Sequence, residues 1–303
     1  MEKVVLYSSS RAKSTPLNRI SVDPKGKRIA CGTIDANIIL LSAKTGKPQR
    51  ALSGHGATIS SIAFTDAGTH LLSTSWDKTT RIWQCADGVQ KKGVLKHSSE
   101  FKVMTINHET SKGAVGTRDG TVKIFSIDTM KCLRNILAHK LDVSGLAFTS
   151  TGSQLVTASW DGSVKLWDVG SFELVKNLLR QKKRVRSIAL TPDDSFIHVG
   201  LHDGVIRSVS LGNIRNRYEK HAHSDIVSAL AVSPSGDYLI SGSWDRTIKL
   251  WNLSEKKLVA TVKLETGVTS LAWAVKGDRF YSTDFSGSLT CWKPPERSES
   301  TST

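Results

Sequence analysis

Cysteine, acidic residues and long apolar runs are all scarce in this chain. Its four cysteines, Cys31, Cys85, Cys132 and Cys291, lie far apart in 303 residues and form no Cys-x-x-Cys pair. A disulfide framework or a structural zinc site needs clustered ligands, so neither is expected to hold the fold together. No stretch approaches the roughly 18 consecutive apolar residues of a membrane helix. The apolar run after Met1 is also too short for a secretory leader. The expected location is cytoplasmic or nuclear, with no membrane insertion. Phosphate-loop, dinucleotide, zinc-protease and nucleophile-elbow motifs are missing as well. The sequence therefore points to no cofactor, no metal, no small-molecule substrate and no enzyme. Only 27 acidic residues stand against 42 lysines and arginines, a net charge of +15. That balance favours acidic partners, whether protein surfaces or RNA, and says nothing about fold.

What the sequence does have is a period. Asp35, Asp77, Asp119, Asp161, Asp203 and Asp245 are spaced by 42 residues, and Ser286 takes the same place in a seventh unit after a spacing of 41. His55, His97, His139 and His223 each lie 22 residues before one of these aspartates, and Trp83, Trp167 and Trp251 each lie six after. Each unit reads as four short strands. In the second unit they are Ile59 to Phe64, Leu71 to Ser75, Thr80 to Trp83 and Gln90 to Leu95, parted by turn residues such as Asp66-Ala67-Gly68 and Asp87-Gly88. Near-continuous apolar runs such as Ile62-Ala63-Phe64 suit sheets covered on both faces, as in radially stacked blades.

These markers resemble the WD-repeat family, whose units run about 40–45 residues from a Gly-His to a Trp-Asp. The Ser-x-Ser-Trp-Asp units at Ser73–Asp77 and Ser241–Asp245 are similar to those of G-protein-β-like scaffolds, the group of the receptor for activated C kinase. The resemblance implies an all-β, seven-bladed propeller of four-stranded antiparallel blades over residues 1–293, followed by a disordered polar tail over 294–303. The last unit has only three strands. The resemblance implies that an N-terminal strand, Val4 to Ser8, supplies its fourth and closes the ring.

The family pattern also gives the repeated polar residues a structural role. The His, the turn Asp, a Ser or Thr and the Trp form one hydrogen-bonded set. Matching positions are His55, Asp77, Ser73 or Ser75, and Trp83; His139, Asp161, Thr157 or Ser159, and Trp167; and His223, Asp245, Ser241 or Ser243, and Trp251. A catalytic set occurs once and converges on one pocket, whereas this one recurs unit by unit. The third unit has Phe125 at the Trp position and the fifth has Gln181 and Val209 at the His and Trp positions. Lys13 and Leu264 replace the His in the first and seventh. Asp35 and Asp203, without the usual partner, are expected to be more exposed.

The residue before each repeat aspartate is implied to point at the top face near the channel. Those positions are Ile34, Trp76, Arg118, Trp160, His202, Trp244 and Phe285. Trp and Arg dominate interface hot spots, so these are candidate partner-binding residues. Lys182, Lys183 and Arg184, within the basic run from Arg180 to Arg186, join them. Arg215, Arg217 and Lys220 form a second basic group. The expected function is a scaffold binding other proteins of a complex through this face. The alternative is a basic subunit of a ribosomal, pre-ribosomal or other ribonucleoprotein complex that touches RNA directly through phosphate contacts and base stacking.

Overall fold

A computed structural model describes residues 1–8, 15–65 and 67–295. Lys13, Asp66 and the part of the polar tail from Glu296 onward lie outside them. Twenty-eight strands form seven four-stranded antiparallel sheets, and no described residue is helical. In six sheets the strands follow chain order from the inner strand to the outer one. The seventh runs Glu2–Ser8, Ser288–Lys293, Phe280–Asp284, Val268–Trp273, so the N-terminal strand is its outer member. In the second blade the inner strand keeps the expected limits, Ile59–Phe64, and the other three run one residue beyond them at one or both ends, as His70–Ser75, Thr79–Gln84 and Gln90–Lys96.

The inner strands are Leu17–Val22, Ile59–Phe64, Phe101–Asn107, Val143–Phe148, Val185–Leu190, Val227–Val232 and Val268–Trp273. Each packs against the next, and the last packs against the first. The apolar cores lie between blades. One joins Ala30, Ile38 and Leu40 of blade 1 to Ile59, Phe64 and Trp83 of blade 2. Another joins Val156 and Leu166 of blade 4 to Val199 and Val209 of blade 5. A blade is thus covered on both faces, which is why its strands read as apolar runs rather than as strict alternation.

Every inner strand shifts register at its second residue. Each shift is a one-residue bulge, between Leu17 and Arg19 in blade 1, Val185 and Ser187 in blade 5, and likewise in the other five. The skipped residues are Asn18, Ser60, Lys102, Ser144, Arg186, Ser228 and Thr269, one per blade around the mouth of the channel. A bulge breaks the ladder locally and re-aims the extra side chain. The tight turns above them carry the repeat aspartates and need a left-handed residue. Gly162 supplies one at φ 82°, where an added Cβ would clash with the Gln181 carbonyl oxygen, whereas Ala36, Lys78 and Arg246 take the same place at φ 66–71°.

Candidate interaction surface

The polar sets lie beneath the top face, one in each of blades 2, 4 and 6. In blade 2 the Trp83 Nε1–H donates to Ser73 Oγ at 2.8 Å, and Ser73 lies 2.7 Å from His55 Nε2. His55 Nδ1 is 2.7 Å from Asp77 Oδ2. A carboxylate only accepts, so His55 donates to it through Nδ1. The imidazole thus completes a chain running from indole to carboxylate. Blade 6 repeats it through Trp251, Ser241, His223 and Asp245.

Blade 4 differs in its last link. Trp167 donates to Thr157, which meets His139 Nε2 at 2.7 Å, but His139 Nδ1 lies 2.8 Å from Ser163 Oγ and 3.4 Å from Asp161. Ser163 donates onward to Asp161 Oδ1 at 2.6 Å. Thr79, Ser163 and Thr247, each two residues after its aspartate, are thus members of the sets that sequence reasoning passed over. Their hydroxyl chemistry at a fixed offset was the available signal. Of the two serines open in blade 2, Ser73 joins the set, while Ser75 donates to the Ala57 carbonyl.

Burial pushes the Asp161 and Asp245 carboxyls up, but hydrogen bonds outweigh it and leave both below the usual range. In blade 3 His97 and Asp119 stand 4.0 Å apart, and Phe125 fills the Trp position without a donor. Asp35, Asp119 and Asp203 are exposed, whereas Asp77, Asp161 and Asp245 are half-buried.

Above these sets, seven backbone N–H groups tie the turns to the incoming loops. They belong to Ile34, Trp76, Arg118, Trp160, His202, Trp244 and Phe285, and bond at 3.0–3.3 Å to carbonyls of Pro16, Thr58, Glu100, Asp142, Arg184, Ile226 and Gly267. The same bond in every blade sets these side chains in one ring. All but Arg118 line a funnel of about 550 Å³ at the channel mouth. Ile34, Trp76, Trp244 and Phe285 remain 46%, 43%, 39% and 44% exposed. Trp244 meets Phe285 edge-on at 5.7 Å. Trp160 is half-buried, edge-on to His202 at 5.7 Å with the Arg184 guanidinium 5.3 Å from its ring. Arg118 turns outward to Glu100 at 3.3 Å.

Lys182, Lys183 and Arg184 are exposed on the loop into blade 5, and Lys183 approaches Asp203 at 3.8 Å. The second basic group is not part of this face. Arg215 and Arg217 sit where the outer strand Arg217–His221 begins, at the opposite end of the blade.

Three cations that sequence reasoning did not single out line the funnel. Lys102 lies 4.4 Å from the Trp76 ring and pairs with Glu100 and Asp142 at 3.3 and 3.6 Å. Arg19 donates to the Ser60 and Asn18 carbonyls at 2.7 and 2.8 Å. Arg186 reaches into the same space. Burial lowers the pKa of both arginines. Their mutual repulsion adds to the effect on Arg19, and Asp142 partly offsets it on Arg186. Guanidinium starts so high that both stay cationic at neutral pH. Counting by 42 from Asn18 would have found Lys102 and Arg186. No group of three or more metal-ligating side chains occurs among the described residues.

Among known proteins, the chain is similar to Periodic tryptophan protein 2 of Saccharomyces cerevisiae, 33% identical over 129 residues, which is 42% of this chain and 14% of that protein. The Neurospora crassa homolog is 30% identical over 147 residues, 47% of this chain and 16% of that one. Pre-mRNA-processing factor 19 homolog 2 of Arabidopsis thaliana is 31% identical over 130 residues, 41% of this chain and 25% of that one. The matches thus span a quarter or less of these relatives' own lengths. The family model for the WD domain, G-beta repeat, matches residues 46–84, 130–168 and 214–252. Those stretches end just past Trp83, Trp167 and Trp251, so the matched units are the three with complete polar sets. The other four blades keep the same strand order, turns and bulges around degraded sets, and the chain belongs to the WD-repeat β-propellers.

Proposed function

We propose that this chain is a non-catalytic scaffold that holds protein partners of a multiprotein assembly on the top face of its propeller, in the cytoplasm or nucleus. The observation that carries this reading is the arc of Ile34, Trp76, Trp244 and Phe285, large apolar side chains left exposed on one side of the funnel by the consecutive blades 6, 7, 1 and 2. Apolar surface gathered at one concave place on a strongly charged protein marks an interaction site. The His–Asp pairs support the non-catalytic part. They are dispersed over four blades, and in blades 2, 4 and 6 their hydrogen bonds are used within the fold. The +15 charge favours partners with acidic surfaces. The name of the Arabidopsis relative, a pre-mRNA-processing factor, supports an RNA-processing assembly.

Affinity purification with mass spectrometry, comparing the native chain with Trp76→Ala/Trp244→Ala, tests the reading. Loss of one or more partners by a variant that melts like the native chain is expected. Retention of every partner contradicts it.

A second reading is direct RNA contact, favoured by exposed Lys182, Lys183 and Arg184 beside Trp160. Filter binding to RNA at two salt concentrations should then weaken with salt, and weaken further in Lys183→Glu/Arg184→Glu. No measurable affinity near physiological salt rules it out.

A further inference from the structure

The seven bulge residues are not equivalent. Asn18, Ser144, Ser228 and Thr269 each donate to a backbone carbonyl of the next blade, at 2.5–2.7 Å. Ser60 bonds Thr74. These side chains stitch the ring. The two remaining positions hold the only cations, Lys102 and Arg186. Lys102 is engaged by Glu100, Asp142 and the Trp76 ring. Arg186 makes no hydrogen bond or ion pair with any described residue; its charge is felt by Arg19 and His202, and Asp142 alone offsets it. A guanidinium with five donors has thus been placed by a bulge in a half-enclosed funnel and left unpaired, next to a second arginine.

Arg19, Arg186 and Lys102 line the funnel together with one carboxylate, Asp142, which pairs with Lys102, as Glu100 also does. Burial disfavours like charges held together, and an entering anion would relieve that cost. The apolar rim above selects what carries the anion. RNA phosphates need cations spaced along an open track, whereas these cations line one half-enclosed funnel shared with the apolar arc of Ile34, Trp76, Trp244 and Phe285.

We propose that the channel mouth is a carboxylate-binding subsite: an Asp or Glu side chain of a partner's acidic peptide enters the funnel and pairs with Arg186 beside Arg19, while apolar residues of that peptide pack on the rim. This rests on the top-face reading of the function.

The test is selection of a phage-displayed random peptide library on the full chain, followed by binding measurements with the recovered peptides made synthetically. Expected peptides carry Asp or Glu next to apolar residues. Changing that acid to its amide, or making Arg186→Gln in the protein, weakens binding at least tenfold, and combining the two costs little more than either alone. Arg186→Lys keeps the charge but not the fork and retains part of the affinity. Arg215→Gln, at the far end of blade 5, changes nothing. Peptides that need Trp244 but tolerate Arg186→Gln overturn the inference and leave the top-face reading standing. A selection that yields no peptide dependent on Trp244 overturns both. Binding of a 20-nucleotide oligouridylate that is lost in Arg186→Gln and blocks every recovered peptide assigns the funnel to nucleic acid instead, and also overturns it.

Discussion

The Thr269 hydroxyl donates to the Leu17 carbonyl at 2.5 Å, across 252 residues of chain. It joins the inner strand of the last blade to that of the first, where Leu17, Ile20 and Ile29 share one core with Tyr281 and Leu289. The outer edge of the same blade is closed by Glu2–Ser8 pairing with Ser288–Lys293. Leu6 and Tyr7 of that strand pack against the junction core.

Deleting residues 1–9 removes this clasp, exposes the edge of Ser288–Lys293 and uncovers part of the junction core. The melting temperature should fall by about 5–10 °C, on the order of several kcal/mol. Differential scanning fluorimetry reads this directly, and an unchanged transition would remove the clasp from the account.

The polar sets predict unequal costs at residues that look alike in sequence. Asp245→Ala strands the buried His223 and should cost about 2–3 kcal/mol in urea unfolding. Trp83→Phe deletes one buried donor and should cost about 1–2 kcal/mol. Asp203→Ala, exposed and weakly paired, should stay within about 0.5 kcal/mol of the native chain. Equal losses at Asp203 and Asp245 would contradict the structural asymmetry between blades.

Acid should weaken the fold before the carboxylates titrate. Burial pushes the His139 imidazole down to about 4, only partly opposed by Asp161, and burial alone does the same to His198. In the unfolded chain both take a proton near 6.5. Between those values the unfolded state binds more protons, so stability is full above about pH 6.5 and falls as pH drops toward 4. Asn at position 198 places an amide where Nδ1 now meets Ser208 at 2.7 Å and cannot take that proton. Melting curves of His198→Asn from pH 7 to 4 should show a shallower fall than the native chain.

Much of the fold was legible because several residue types kept one register. A 42-residue step in Asp, His and Trp located seven units, and the missing strand of the last unit pointed to the N-terminus. The position before each aspartate also led to the rim side chains. What escaped was the chemistry between blades. The bulge at the second residue of each inner strand has no composition signature, since Asn18, Ser60, Lys102 and Arg186 share only their spacing. Arg186 read as one cation in a basic run, although the bulge turns it away from Lys182, Lys183 and Arg184 and into the funnel. Trp160 read as equal to Trp76 and Trp244, but its contacts with His202 and Arg184 cover much of it.

Partners are proposed to sit on the rim and in the funnel below it. Hydrogen–deuterium exchange of the full chain, with and without a partner recovered by affinity purification, tests this most directly. Slowed exchange is expected in the turns at 34–36, 76–78, 244–246 and 285–287 and at the start of Val185–Leu190. Protection confined to outer strands such as Cys132–Leu137 and Leu174–Arg180, where Leu133, Leu137, Leu174 and Val175 are exposed, would contradict it.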